Sequence, residues 1–171
     1  MRHPPTKPLA SLGIALIAAT VATTVNARPV WQYVERGLIH GEPSSGEAYY
    51  PGISCAAGRL TITLIPSHDA GLHQNRDLDW LDARGHAGPW PLRMIVRSGA
   101  LSMTVPGELT AENFGFPEAE AQVPASSGIG RAILATGVVD ASARGTSMHV
   151  PPIPRPLLAR LAADCRGRVR R

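Results

Sequence analysis

The stretch ISCAAGRLTITLIP, Ile53 to Pro66, decides the fold class. Within it Leu60, Ile62 and Leu64 alternate with Thr61 and Thr63, the two-residue period of a strand with one buried and one wet face. Ile53–Ala56 leads into that strand through Ala57-Gly58, and Pro66 ends it. Upstream, Val30–Val34 reads as a first strand with Trp31 and Tyr33 on one face, and EPSSG at 42–46 is a turn-rich break before Tyr49 and Tyr50. Downstream, Leu92–Val96, Ser98-Gly99 and Ala100–Val105 make a hairpin, and Val138–Ala143, Arg144-Gly145 and Thr146–Val150 make another. Glu118–Val123 reads as one more strand between them.

Two segments break the β pattern. Ser126-Ser127 caps a short helix that runs through Leu134 and stops at Gly137. The clearest helix is the last element: Pro156 suits its first turn, Leu157, Leu158, Leu161 and Cys165 share one face, and Arg160 with Asp164 forms an i,i+4 pair on the other. Gly167 ends it. Seven or so short strands with these two helices predict a mainly β fold, a single sandwich-like or barrel-like domain of antiparallel strands spanning residues 28–165. With 17 Gly and 16 Pro in 171 residues, the chain is turn-rich but stays below the roughly 25–30% at which sequences read as low-complexity.

The first 27 residues carry an address. Arg2, His3 and Lys7 precede an uncharged run from Leu9 to Val25, and Val25-Asn26-Ala27 is a small-residue exit, the plan of a secretory signal peptide cleaved after Ala27. The apolar run is shorter than the roughly 20 residues of a spanning helix, so a retained anchor is the lesser alternative. Export to the periplasm or beyond follows as an expectation. It makes Cys55 and Cys165, the two cysteines of the chain, an expected disulfide, and their joining would place the C-terminal helix on the strand that holds Cys55.

Of 17 basic and 13 acidic residues, Arg2 and Lys7 lie in the leader, and Arg166, Arg168, Arg170 and Arg171 crowd the C-terminus. That leaves 11 basic against 13 acidic groups in the body, a near-neutral domain carrying a mobile basic tail at 166–171. A nucleic-acid partner is not expected of such a body; an anionic envelope surface is a candidate for the tail.

One layout is familiar. Trp31, Cys55 followed by Gly58-Arg59-Leu60 in a strand, a mid-chain hairpin, a short helix ending in Thr136-Gly137, then Pro152–Pro156 and a helix closing on LAADCR resemble small exported proteobacterial proteins of unknown function. In layout the chain is similar to the invasion-associated locus B proteins. The resemblance implies a periplasmic or secreted β-rich module, and it brings no catalytic residue with it.

Residues Ser67–Gly88 read as a long surface loop with one turn of helix around Leu78–Leu81, and such loops are often functional. The loop gathers His68, Asp69, His73, Asp77, Asp79, Asp82 and His86, ligand types for a divalent metal without the spacing of a ready-made site. Asn75, Asp77 and Asp79 mimic the start of an EF-hand loop, but Trp80 stands where that loop needs Gly and His86 where it needs Glu. No G-x-S-x-G elbow is present, and Ser67-His68-Asp69 are neighbours that cannot form a triad. Gly128-Ile129-Gly130-Arg131 lacks the third glycine and the parallel-strand context of a phosphate loop.

Trp80 is the aromatic residue out of place. Set among polar neighbours with Leu78 and Leu81 near it, it is a candidate contact for a partner or a glycan, the other reading being a loop folded back on the domain. The sequence thus predicts an exported, non-enzymatic module that binds an envelope protein or an anionic lipid surface, with no catalytic residue, cofactor, metal ligand or small-molecule substrate assigned. A metal-dependent protein or hydrolase built on residues 68–86 is the alternative.

Overall fold

A computed structural model of the chain describes residues 30–34, 37–41, 52–66, 71–111 and 116–167. Residues 1–27, where a leader is expected, those beyond Gly167, and His68, Asp69, Tyr49, Tyr50 and Phe114 lie outside the described residues. The described chain runs β1 (Val30–Val34), β2 (Gly37–Gly41), β3 (Gly52–Ala56), β4 (Arg59–Leu64), β5 (Leu72–Gln74), β6 (Trp80–Asp82), β7 (Trp90–Ser98), β8 (Leu101–Thr110), β9 (Glu118–Pro124), α1 (Gly128–Thr136), β10 (Asp140–Ala143), β11 (Thr146–His149) and α2 (Arg155–Arg166).

The fold is mainly β. Nine strands make one curled antiparallel sheet in the order β1-β2-β3-β4-β9-β8-β7-β10-β11, while β5 and β6 form a separate two-stranded ribbon. The curl brings the two ends of the sheet near each other: the Trp31 indole N–H on β1 donates to the Pro151 carbonyl just past β11, at 2.8 Å. Of the two arrangements expected, the barrel-like one describes this single sheet.

Alternation sets the two faces. Leu60, Ile62 and Leu64 lie opposite Val123, Ala121 and Ala119, and all six are buried. Their neighbours Thr61 and Thr63 pair with Gln122 and Glu120 on the outer face. Two of the hairpins turn on a residue pair with positive φ at both positions, Ala57-Gly58 and Arg144-Gly145, the geometry whose twist matches that of the flanking strands.

Both helices cover the inner face. Helix α1 is capped by Ser127, whose hydroxyl accepts the Gly130 N–H, and ends at Gly137 in the left-handed conformation. Its Ile129 and Ile133 are buried against β7, β8 and β9. Gly130 is required there, since a Cβ would stand 2.2 Å from the Pro124 carbonyl oxygen. Helix α2 sinks Leu158, Leu161 and Cys165 onto β2 and β3. Cys165 is disulfide-bonded to Cys55, with Cα atoms 4.8 Å apart across a separation of 110 residues. By the chain-entropy argument a loop of that size stabilises by about 4–5 kcal/mol.

Three expectations change. The expected strands number about seven, whereas β2, β5 and β6 add to them because each is too short or too polar to show a period. Residues 72–82 form a β ribbon where a loop with a helical turn was expected, for reasons given by Leu78 below. Arg160 does not pair with Asp164: its guanidinium lies over the Tyr33 ring, 3.7 Å from the centroid. Spacing within one helix cannot register an aromatic ring supplied by β1, whose face attracts the exposed guanidinium.

A ribbon of twin turns and the cleft beside it

The polar stretch 71–90 is ordered by its own side chains. In the ribbon Leu72, His73 and Gln74 face Asp82, Leu81 and Trp80. The turn joining them runs Asn75-Arg76-Asp77-Leu78-Asp79. Asn75 Oδ1 accepts the N–H of Asp77 and of Asp79, each at 2.9 Å. The Asn75 N–H donates to the Asp79 carbonyl at 2.9 Å, and the Leu78 N–H to the Asn75 carbonyl at 3.2 Å. Closing the turn requires a left-handed residue at its fourth position, and Leu78 takes it with φ of 67°.

The next turn, Asp82-Ala83-Arg84-Gly85-His86, repeats this pattern bond for bond. Asp82 Oδ1 accepts the N–H of Arg84 and of His86, both at 2.9 Å. The Asp82 N–H donates to the His86 carbonyl and the Gly85 N–H to the Asp82 carbonyl, again at 2.9 Å. Here the left-handed position belongs to Gly85, φ 80°. The His86 and Arg84 N–H groups hold the Asp82 carboxyl below the usual carboxylate range, the His86 bond contributing most and partial burial opposing it.

These turns engage Asp79 and Asp82, two of the residues with metal-ligand chemistry. Asn75 and Asp82 turn side-chain oxygens toward backbone N–H groups, and Asp79 Oδ2 accepts from Asn75 Nδ2 at 3.2 Å. His73 is exposed on β5, and His86 stands beside Asp82 with Nδ1 3.7 Å from Oδ2. Among the described residues no group of three His, Cys, Asp or Glu side chains converges on one point. The Asn75, Asp77, Asp79 spacing is that of a side chain capping its own turn.

Trp80 is half-buried and packs against the core. It also lines a cleft of about 330 Å³ with Asp79, Leu81, Pro89, Thr110 and Ala111. Next to Pro89 of that lining, the Trp90 indole N–H donates to the His86 carbonyl at 3.1 Å. Leu78 is 41% exposed at the tip of the turn, and Phe116, 65% exposed, stands two residues before Glu118, the partner of Thr110. Leu78 and Phe116 are thus exposed apolar groups, and Trp80 shares a cleft with Thr110.

Two surface clusters escaped the sequence reading because they are made by strand register. Asp140 pairs with His149 across β10 and β11, with Nδ1 3.2 Å from Oδ1, an exposed pair of the kind that contributes little. On the outer face Glu108 lies opposite Glu120; burial first, then Glu118 and Glu108, push the Glu120 carboxyl above its ordinary range.

Comparison with known proteins gives no match: no family model, no curated protein and no solved structure is significantly similar to the chain.

Proposed function

We propose that this chain is an exported, non-enzymatic binding module, periplasmic or secreted, that engages an envelope protein through the tip of the β5–β6 ribbon. The observation that carries the reading is Leu78, a large apolar side chain 41% exposed in a left-handed backbone position. A left-handed non-glycine residue costs roughly 1–3 kcal/mol, and the exposed part of the leucine recovers nothing inside the domain. Gly85 holds the equivalent position of the twin turn without that cost, so the leucine is retained for a contact outside the domain. Trp80 and Phe116 extend that contact, aromatic anchors being the commonest centres of binding energy.

The disulfide fits an oxidising compartment, and the resemblance in layout to the invasion-associated locus B proteins points the same way. The alternative of a metal-dependent or hydrolytic protein built on residues 68–86 draws no support from Asn75 and Asp82, whose side chains serve the turns.

Site-specific photo-crosslinking in cells that export the protein tests the reading. A benzoylphenylalanine in place of Leu78 is expected to give a discrete adduct that Trp80→Ala removes, and the same probe in place of Thr104 on the outer face of β8 gives none. Equal adducts from both positions, or none from position 78, reject the ribbon tip as the contact.

A further inference from the structure

The opposite chemistry gathers where α1, α2 and the β3–β4 turn meet. Gly58 of that turn holds the junction together: its N–H donates to the Cys165 carbonyl at 3.2 Å, and its carbonyl accepts the Ala125 N–H at 2.8 Å. Between the two helices lies a groove of about 660 Å³, lined by Gly58, Arg131, Leu134, Ala135, Ala162 and Arg166 among others. That volume falls within the range of small-molecule sites. Its floor and sides are small and apolar, and its charges are two arginines.

The charge is one-sided. Residues 52–66 and 121–139 contain Arg59 and Arg131 and no acidic residue. Helix α2 adds Arg155, Arg160 and Arg166 against the single half-buried Asp164. Among the described residues neither Arg131 nor Arg166 forms an ion pair; Arg131 donates to the Ser126 carbonyl, which holds its guanidinium at the groove. Apart from Asp164, no acidic residue belongs to α1, α2 or the β3–β4 turn, and Glu108, Glu118 and Glu120 lie on the outer face of the sheet. An apolar channel with unneutralised guanidinium groups is complementary to a ligand that is apolar along its length and anionic at one end, since Arg binds phosphate and carboxylate oxygens in a planar, two-point fashion.

We infer that the groove between α1 and α2 binds a single-chain anionic amphiphile as a monomer, its phosphate or carboxylate head on Arg131 and Arg166 and its alkyl chain along Leu134, Ala135 and Ala162. The inference uses none of the residues of the ribbon tip and stands independently of the contact made there. Arg166 therefore belongs to a structured site at the end of α2, whereas the sequence reading had placed it in a mobile tail.

Isothermal titration of the oxidised protein with dodecyl phosphate below its micelle concentration tests the site, with dodecanoate, inorganic phosphate and dodecanol as companion probes. One-to-one binding of dodecyl phosphate and dodecanoate is expected, with inorganic phosphate and dodecanol at least tenfold weaker. Arg131→Gln with Arg166→Gln is expected to weaken dodecyl phosphate at least tenfold. Ala135→Trp, which changes no charge and sits at an exposed position, is expected to abolish it by filling the groove, so the outcome does not depend on one variant folding. Equal affinity for inorganic phosphate would reduce the site to an anion patch and overturn the inference. So would equal affinity for dodecanol, several ligands per chain untouched by the variants, or binding to phosphatidylglycerol vesicles with no binding of the monomer.

Discussion

The two five-residue turns of the ribbon differ at the position that matters most to each. Asn75–Asp79 and Asp82–His86 share the same hydrogen bonds, the same side-chain cap and the same left-handed fourth residue, yet one places Leu78 there and the other Gly85. Glycine is what the backbone requires, since a Cβ in that conformation meets its own carbonyl. The pair sets two backbone solutions to the same turn side by side in one stretch of chain. The second turn is built for closure. The first carries a left-handed leucine that is 41% exposed.

Reversing the residues should reverse the energies. Gly85→Leu meets no neighbour, because nothing lies within 4 Å of a Cβ added there. The substitution therefore isolates backbone strain and is expected to destabilise the ribbon by about 1–2 kcal/mol. Amide exchange of Asp82 and His86 is the measurement, since a short ribbon can open without unfolding the sheet. A neutral Gly85→Leu would mean that the left-handed position carries no strain and that Leu78 needs no outside explanation.

Removing the first cap should cost nearly as much. Asn75→Ala leaves the N–H groups of Asp77 and Asp79 without their acceptor, and loss of a side-chain cap of this type costs about 1 kcal/mol. Faster exchange of those two amides, with Arg84 and His86 unchanged, would show that the twin turns close independently. Coupled loss in both would make the ribbon one unit.

Leu78→Gly is the converse experiment, with an expected gain of about 1 kcal/mol in local stability. With the crosslinking probe moved to the exposed position 116, Leu78→Gly is also expected to remove the adduct. A variant that becomes more stable while losing its partner is the signature of a position selected for contact. One that gains stability and keeps the partner would assign the contact to Trp80 and Phe116 alone.

The contrast between the twin turns also explains what could be read in advance. Alternation at Leu60, Ile62 and Leu64 and the glycines at 58 and 145 declared their strands and turns locally. Helix α2 showed its buried face through Leu158, Leu161 and Cys165, so the disulfide partner was fixed by composition alone. Residues 72–82 declared nothing, because three-residue strands have no measurable period and leucine, a good helix former, stands where the chain turns left-handed. The signal was present in another form. Asp82 followed three residues later by Gly85 is a turn signature, and Asn75 stands seven residues before Asp82 with the same cap, so an alignment of 75–79 on 82–86 exposes Leu78 as the substituted glycine. The α1–α2 groove had no such local trace: Arg131 and Arg166 are 35 positions apart in the chain, and only the packing of α1 on α2 brings them to one place.

The smallest effect separates the turns by charge. Asn75 is neutral at every pH, whereas the Asp82 carboxyl is held below its ordinary range, chiefly by the His86 N–H. A carboxyl whose folded pKa is depressed stabilises the folded state above its unfolded pKa, near 3.8 for this group, and loses that contribution as pH falls through the folded value. The second turn should therefore loosen below about pH 4 while the first holds. Amide-exchange protection across pH 6 to 2 is the check: the Arg84 and His86 amides are expected to lose protection as the Asp82 carboxyl is protonated, and those of Asp77 and Asp79, whose acceptor is the neutral Asn75 Oδ1, to keep theirs. Asp82→Asn should make the two turns indistinguishable in that titration, because the amide keeps the acceptor oxygen and removes the charge. If both turns still loosen together, the acid sensitivity belongs to the ribbon as a whole, and the cap is not its cause.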